Sequence, residues 1–181
     1  MVKKKFEIGD YIVFPKYGVG KCHGYQQVNV DGKIYEMLVI KFDKSKMILR
    51  LPKERLGKVA CRPLSTKTKM DQALKRLSVH TKVCQSGWKD RVESYCRKIN
   101  SNQLCLIAEV ISELYPLIKN HIYSMREFEI YQRALDLFAQ ELTAVDACDI
   151  KIALEKIEAF ARPQKFSWMM PQNLRLAIGE T

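Results

Sequence analysis

The sequence predicts an α+β chain: a small SH3- or Tudor-like β-barrel, then a compact all-helical domain of about five helices. Three observations carry that prediction. Apolar residues in the first sixty positions fall in short β-rich runs cut by Gly, Pro and an Asp-Gly pair. From about residue 65 their spacing becomes helical. The two kinds of element stand in blocks rather than alternating, which implies separate packing units and not a βαβ sheet. The 181 residues suffice for two small units, and 47% hydrophobic with 28% charged residues is globular composition. The expected boundaries are 1–62 for the barrel, 66–161 for the helices and 162–181 for a tail of open role.

In the barrel, Tyr11-Ile12-Val13-Phe14 is a β-rich run stopped by Pro15. Val19 and Lys21-Cys22-His23 read as a second short strand among the turn glycines Gly18, Gly20 and Gly24. Val28-Asn29-Val30 and Ile34 to Ile40 flank Asp31-Gly32, the dipeptide a type I′ hairpin turn favours. Met47 to Leu51 forms the last of five expected strands, with Leu49 and Leu51 on one face and Ile48 and Arg50 on the other.

In the helical block, Thr68 is the expected cap of a helix carrying Met70, Ala73, Leu74 and Leu77. Residues 78–87 lack a period and read as a loop. Trp88 opens the next helix, to about Lys98. Leu104, Ile107, Ala108, Ile111, Leu114 and Tyr115 form an amphipathic stripe expected to close at Pro116. Ser124-Met125-Arg126-Glu127 is a capping box starting a helix with Phe128, Tyr131, Leu135, Phe138 and Leu142 on one face. Asp146 is the expected cap of a last helix holding Ile150, Ala153, Leu154, Ile157 and Phe160. In the tail, Pro163 and Pro171 bracket the apolar Trp168-Met169-Met170.

The formal charge is +11, and it is uneven: net +8 over residues 1–62, +5 over 63–125 and −4 over 126–161. A basic majority suits nucleic acid or another anionic partner without requiring one. No run is apolar enough for a membrane span, and the basic start does not lead into a signal sequence. The six cysteines are expected to be reduced thiols; they make no C-x-x-C pair, so no metal site is expected. No phosphate-binding loop, dinucleotide fingerprint, serine-nucleophile elbow or metalloprotease motif is present. The expectation is a non-enzyme without cofactor. Glu109 and Glu113, four apart, read as a solvated face opposite the apolar stripe.

Trp88 admits two readings. Trp88, Val92, Tyr95 and Ile99 follow core spacing, which favours burial. A large aromatic beside Lys89 and Arg91 could instead stack on or wedge against a nucleic-acid base.

Three stretches bear on that choice. They are Phe6 to Lys21 (FEIGDYIVFPKYGVGK), Met47-Ile48-Leu49-Arg50-Leu51-Pro52, and Trp88-Lys89-Asp90-Arg91 followed by Ile107 to Tyr115 (IAEVISELY). In this order they resemble the CarD/CdnL family of bacterial RNA polymerase-binding transcription regulators, over about residues 5–160. The resemblance implies a polymerase-interaction domain whose exposed strand pairs with the RNA polymerase β subunit. That strand is Met47, Ile48, Leu49, Arg50, Leu51 and Pro52, with Arg50 its leading contact. It also implies that the helical domain meets promoter DNA at the upstream edge of the melted bubble, without base-specific readout. There Trp88 would act as a wedge with Lys89, Arg91 and Lys98 beside it, opposing reannealing and stabilising the open complex. Asp90 and Glu93 depart from the family's consecutive arginines after the tryptophan. A cytoplasmic monomer, nucleoid-associated through polymerase, is expected. The alternatives are a polymerase- or protein-binding adaptor without DNA contact, and a thiol protein using Cys84 or Cys22.

Overall fold

The computed structural model describes residues 6–79 and 87–162. The expectations for Cys84 and the tail after Arg162 lie outside the described residues.

Five antiparallel strands make one sheet: β1 (Tyr11–Phe14), β2 (Gly18–Val30), β3 (Lys33–Phe42), β4 (Met47–Pro52) and β5 (Arg62–Pro63), in the order β4-β3-β2-β1-β5. The two short strands expected over 19–30 are one long strand, β2. Its register shifts between Cys22 and Gly24, a bulge that lets one strand continue through a glycine-rich stretch. β5 is the fifth strand instead; two residues carry no pattern a sequence could show. The hairpin turn is as expected, with Asp31 and Gly32 both at positive φ (51° and 78°). The inner face buries Ile12, Phe14, Cys22, Leu38, Ile40, Phe42 and Leu51, with Phe14 edge-on to Phe42 at 5.8 Å.

Five helices follow: α1 (Lys67–Leu77), α2 (Trp88–Asn100), α3 (Leu104–Lys119), α4 (Met125–Asp146) and α5 (Ile150–Ala161). Three boundaries differ from expectation. Thr66, not Thr68, caps α1, its hydroxyl accepting from Lys69 N. α3 runs through Pro116 to Lys119. One lost backbone bond is offset there by Leu117, which packs on the helical core beyond the proline. Asp149, not Asp146, caps α5, accepting from Lys151 N, because α4 continues through Asp146. Asp146 instead meets Lys67 and Lys156.

α4 is the central helix and touches β2 as well as α1, α2, α3 and α5. It therefore buries more than the single expected face: Ile130, Ala134, Leu137 and Glu141 lie inside along with Phe138 and Leu142.

Glu141 anchors a polar seam between sheet and helices. Arg62 of β5 donates to both its oxygens (2.5 and 2.6 Å), and Ser65 N donates at 3.1 Å. The Glu141 side chain is 1% exposed. Asn102, also buried, donates to Val13 O (2.9 Å) and Ala60 O (2.7 Å), and its own carbonyl accepts from Arg62 Nε. Gln140 Oε1 accepts from Val19 N at 3.3 Å. That approach explains Gly18: with φ at +79°, any Cβ there would stand 2.2 Å from Gln140 Oε1. The seam fixes the orientation of one unit on the other through directional bonds, because an unpaired carboxylate at this depth is strongly unfavourable.

Candidate polymerase and nucleic-acid interfaces

β4 lies at the edge of the sheet. One side pairs with β3, from Met37 opposite Pro52 to Phe42 opposite Met47. Its other side pairs with no strand among the described residues. Backbone donors and acceptors along such an edge are a template for an added strand. Side chains alternate as the sequence suggested: Leu51 is buried and Leu49 packs on the core, while Ile48, 50% exposed, and Arg50 face outward. Arg50 makes a long hydrogen bond to Gln26 on β2 (3.4 Å). Pro52 ends the strand, and a single 3₁₀ turn (Lys53–Arg55) follows, from which Lys53 reaches Glu36 at 2.5 Å. An edge that is short and closed by proline discourages open-ended association.

The first turn of α2 is the second surface. Its core stripe begins later than the spacing implied: Tyr95 and Ile99 are buried and Val92 packs beside them, but Trp88 is 55% exposed. Trp88 is the first residue of the helix. Lys89 Nζ lies 5.8 Å from the ring centroid, a cation–π distance. Asp90, in the first turn, suits the positive end of the helix dipole.

The remaining cations of α2 all face carboxylates. Arg91 donates to Glu127 at 3.0 Å. Arg97 lies 3.9 Å from Glu93 on the surface. Lys98 meets Glu113 at 2.7 Å and Glu109 at 3.4 Å, and Arg76 also binds Glu109 at 2.6 Å. Glu109 and Glu113 are therefore not a solvated face. They are the acid half of a network joining α1, α2 and α3. Burial, with Glu113 beside it, raises the Tyr95 hydroxyl well above the tyrosine range. Burial alone would raise the Glu127 carboxyl, but bonds from the Ser124 amide and hydroxyl and from Arg91 outweigh it and hold it low.

The structure thus brings Trp88 and Lys89 together at one tip. Lys98 lies ten residues on, about 15 Å along the axis, and belongs to the internal network. Glu127, Glu113 and Glu141 were not foreseen as important. Glu127 had a signal, the capping box. The others had none, because their partners lie 15 and 79 residues away in the chain.

Neither surface carries a catalytic constellation, and no cluster of three metal-ligating residues occurs among the described residues. No described helix is long and apolar enough to cross a membrane. Among the described residues, a five-stranded antiparallel sheet with an open edge strand is seated on a five-helix unit. Residues 6–64 match the CarD-like/TRCF RID domain and residues 72–158 match the CarD C-terminal domain, which together define a non-catalytic transcription factor that interacts with RNA polymerase. The chain belongs to the CarD family, and its first unit is a Tudor-like domain of the kind that binds the polymerase β subunit.

Proposed function

We propose that the protein stabilises promoter open complexes, with β4 adding to a strand of the polymerase β subunit and Trp88 occupying the upstream fork of the bubble. The observation that carries the reading is the exposure of Trp88 at the very start of α2, with Lys89 on its ring. A rigid indole held clear of the core is suited to stacking at a distorted step, and the neighbouring ammonium suits a phosphate. The open β4 edge with outward Ile48 and Arg50 supports the polymerase contact through residues 47–52. Tethering by polymerase raises the local concentration at the fork, so weak DNA affinity suffices. The requirement is differential: fork must be bound better than duplex, and tenfold corresponds to about 1.4 kcal/mol. In this reading Trp88 and Lys89 meet DNA, while Arg91 and Lys98 serve mainly inside the protein. The domain division near residues 62–66 is part of the proposal.

The test is the lifetime of polymerase–promoter open complexes. Wild type lengthens it, and Arg50→Glu and Trp88→Ala each abolish the gain. An Arg50→Glu loss with a fully active Trp88→Ala would support the second reading, an adaptor without DNA contact. That reading is favoured by one observation: Arg91, Arg97 and Lys98 all face carboxylates, and Asp90 and Glu93 are exposed acids beside the tip.

A further inference from the structure

We infer that Glu127 is a positioning residue for Trp88, acting through Arg91; the inference rests on the reading of Trp88 as the fork contact. Glu127 is 3% exposed and divides its two oxygens between two helices. Oε2 closes the α4 capping box, accepting from Ser124 N and Ser124 Oγ at 2.9 Å each. Oε1 accepts from Arg91 Nη2 of α2 at 3.0 Å. Arg91 stands three residues after Trp88, on the same side of the helix one turn further in.

The first turn of α2 gains from such a hold. Its N-cap is Gly87, which offers no side-chain bond to the first amides. Helix starts without a cap fray, since their first amides lack intrahelical partners. The link at Glu127 fastens that turn to the start of α4, where side chain and backbone bond reciprocally. At the far end, Arg133 of α4 reaches Asn100 of α2 at 3.4 Å, so the two helices lie side by side. Arg91, one turn from the indole, is therefore spent on aiming it. A phosphate would have to compete with a buried carboxylate for the same guanidinium.

Glu127→Gln separates the two jobs, because glutamine also completes a capping box but carries no charge for Arg91. Trp168→Phe leaves Trp88 as the sole tryptophan, the chain having two. In that background the fluorescence anisotropy of Trp88 reports its order without DNA. Affinity for a fork-junction DNA over a range of salt reports its use. Glu127→Gln and Arg91→Ala are each expected to lower the anisotropy and weaken fork binding about three- to tenfold, with an unchanged salt slope. The double variant should be no worse than Arg91→Ala, and Arg91→Lys should recover part of the loss. A thermal melt separates these effects from unfolding. Arg91→Ala lowering the salt slope by about one with unchanged anisotropy would overturn the inference, making Arg91 a phosphate contact. Tighter fork binding by Glu127→Gln would overturn it too. If Trp88→Ala binds fork DNA like wild type, the fork reading fails by itself, and anisotropy alone decides whether Glu127 positions the ring.

Discussion

At β4 the contact groups face outward: an open backbone edge, an exposed Ile48, and an Arg50 with one long bond to an amide oxygen. At the start of α2 the side chains look more strongly basic in sequence, yet Arg91, Arg97 and Lys98 all face carboxylates. What stands out there is an indole and one lysine. The difference teaches that a count of cations is not a count of free cations. The +11 formal charge overstates what the helical unit offers DNA, because residues 1–62 carry +8 of it, and within the helical unit residues of the acidic stretch 126–161 and of α3 fold back onto the basic ones. Under the proposed function a surface built this way would bind by shape and stacking, with polymerase supplying proximity, whereas β4 would bind through a backbone template that no side-chain pairing can neutralise.

The comparison requires the two surfaces to be held in fixed relation, and the largest predicted effect lies there. Glu141→Ala would leave Arg62 without its carboxylate partner in a seam where that carboxylate is 1% exposed. Breaking a buried pair costs about 3–5 kcal/mol. For a chain of this size the melting temperature should fall by on the order of 10 °C, read by calorimetry. Binding to a polymerase β fragment should persist while the open-complex lifetime gain is lost. Retention of both would show that the two surfaces act independently.

Lys98→Ala tests whether the α2 cations are internal. Its removal leaves Glu113, whose side chain is 9% exposed, without its lysine, while Glu109 keeps Arg76. Leaving such an acceptor unpaired costs about 1–3 kcal/mol. The predicted result is a lower melting temperature with an unchanged salt slope for fork DNA. A slope reduced by about one would place Lys98 on a phosphate and erase the contrast with β4.

How much of this was legible in sequence depended on the range of the interaction. The β4 alternation, the Asp31-Gly32 turn and the Ser124–Glu127 box are local rules and read correctly. Helix ends failed where tertiary packing overrode local signals, as at Pro116, or where a second acid shared the linker, as with Asp146 and Asp149. Trp88 lay outside the core because periodicity places a residue on a face, and at the first position of a helix that face need not reach the core. The seam was invisible: Arg62 and Glu141 are ordinary surface residues until folding joins them. Only Gly18, pressed by Gln140, carried a trace of it, and as a turn glycine it had a sufficient local explanation.

Acid should loosen the two ends unequally, and this smallest effect sharpens the comparison most directly. Glu127, Asp146 and Glu158, all in the helical unit, are held below their ordinary values. For Glu127 burial opposes the shift and the Ser124 and Arg91 bonds win; for Asp146 burial opposes and Lys156 and Lys67 win. For Glu158 the Lys119 bond leads and burial opposes it. A carboxyl lowered in the folded state contributes stability that is complete above its unfolded value and lost as pH falls through the folded one. The ordinary values are 4.5 for the glutamates and 3.8 for Asp146, so the loss begins below about pH 4.5. Hydrogen exchange across that range should show α4 and α5 amides losing protection before those of β1–β4. Trp88 anisotropy should fall in the same window, since protonating Glu127 releases Arg91. Simultaneous loss of protection in both units would mean that the seam couples them fully. The two surfaces would then differ in chemistry but not in how firmly each is held.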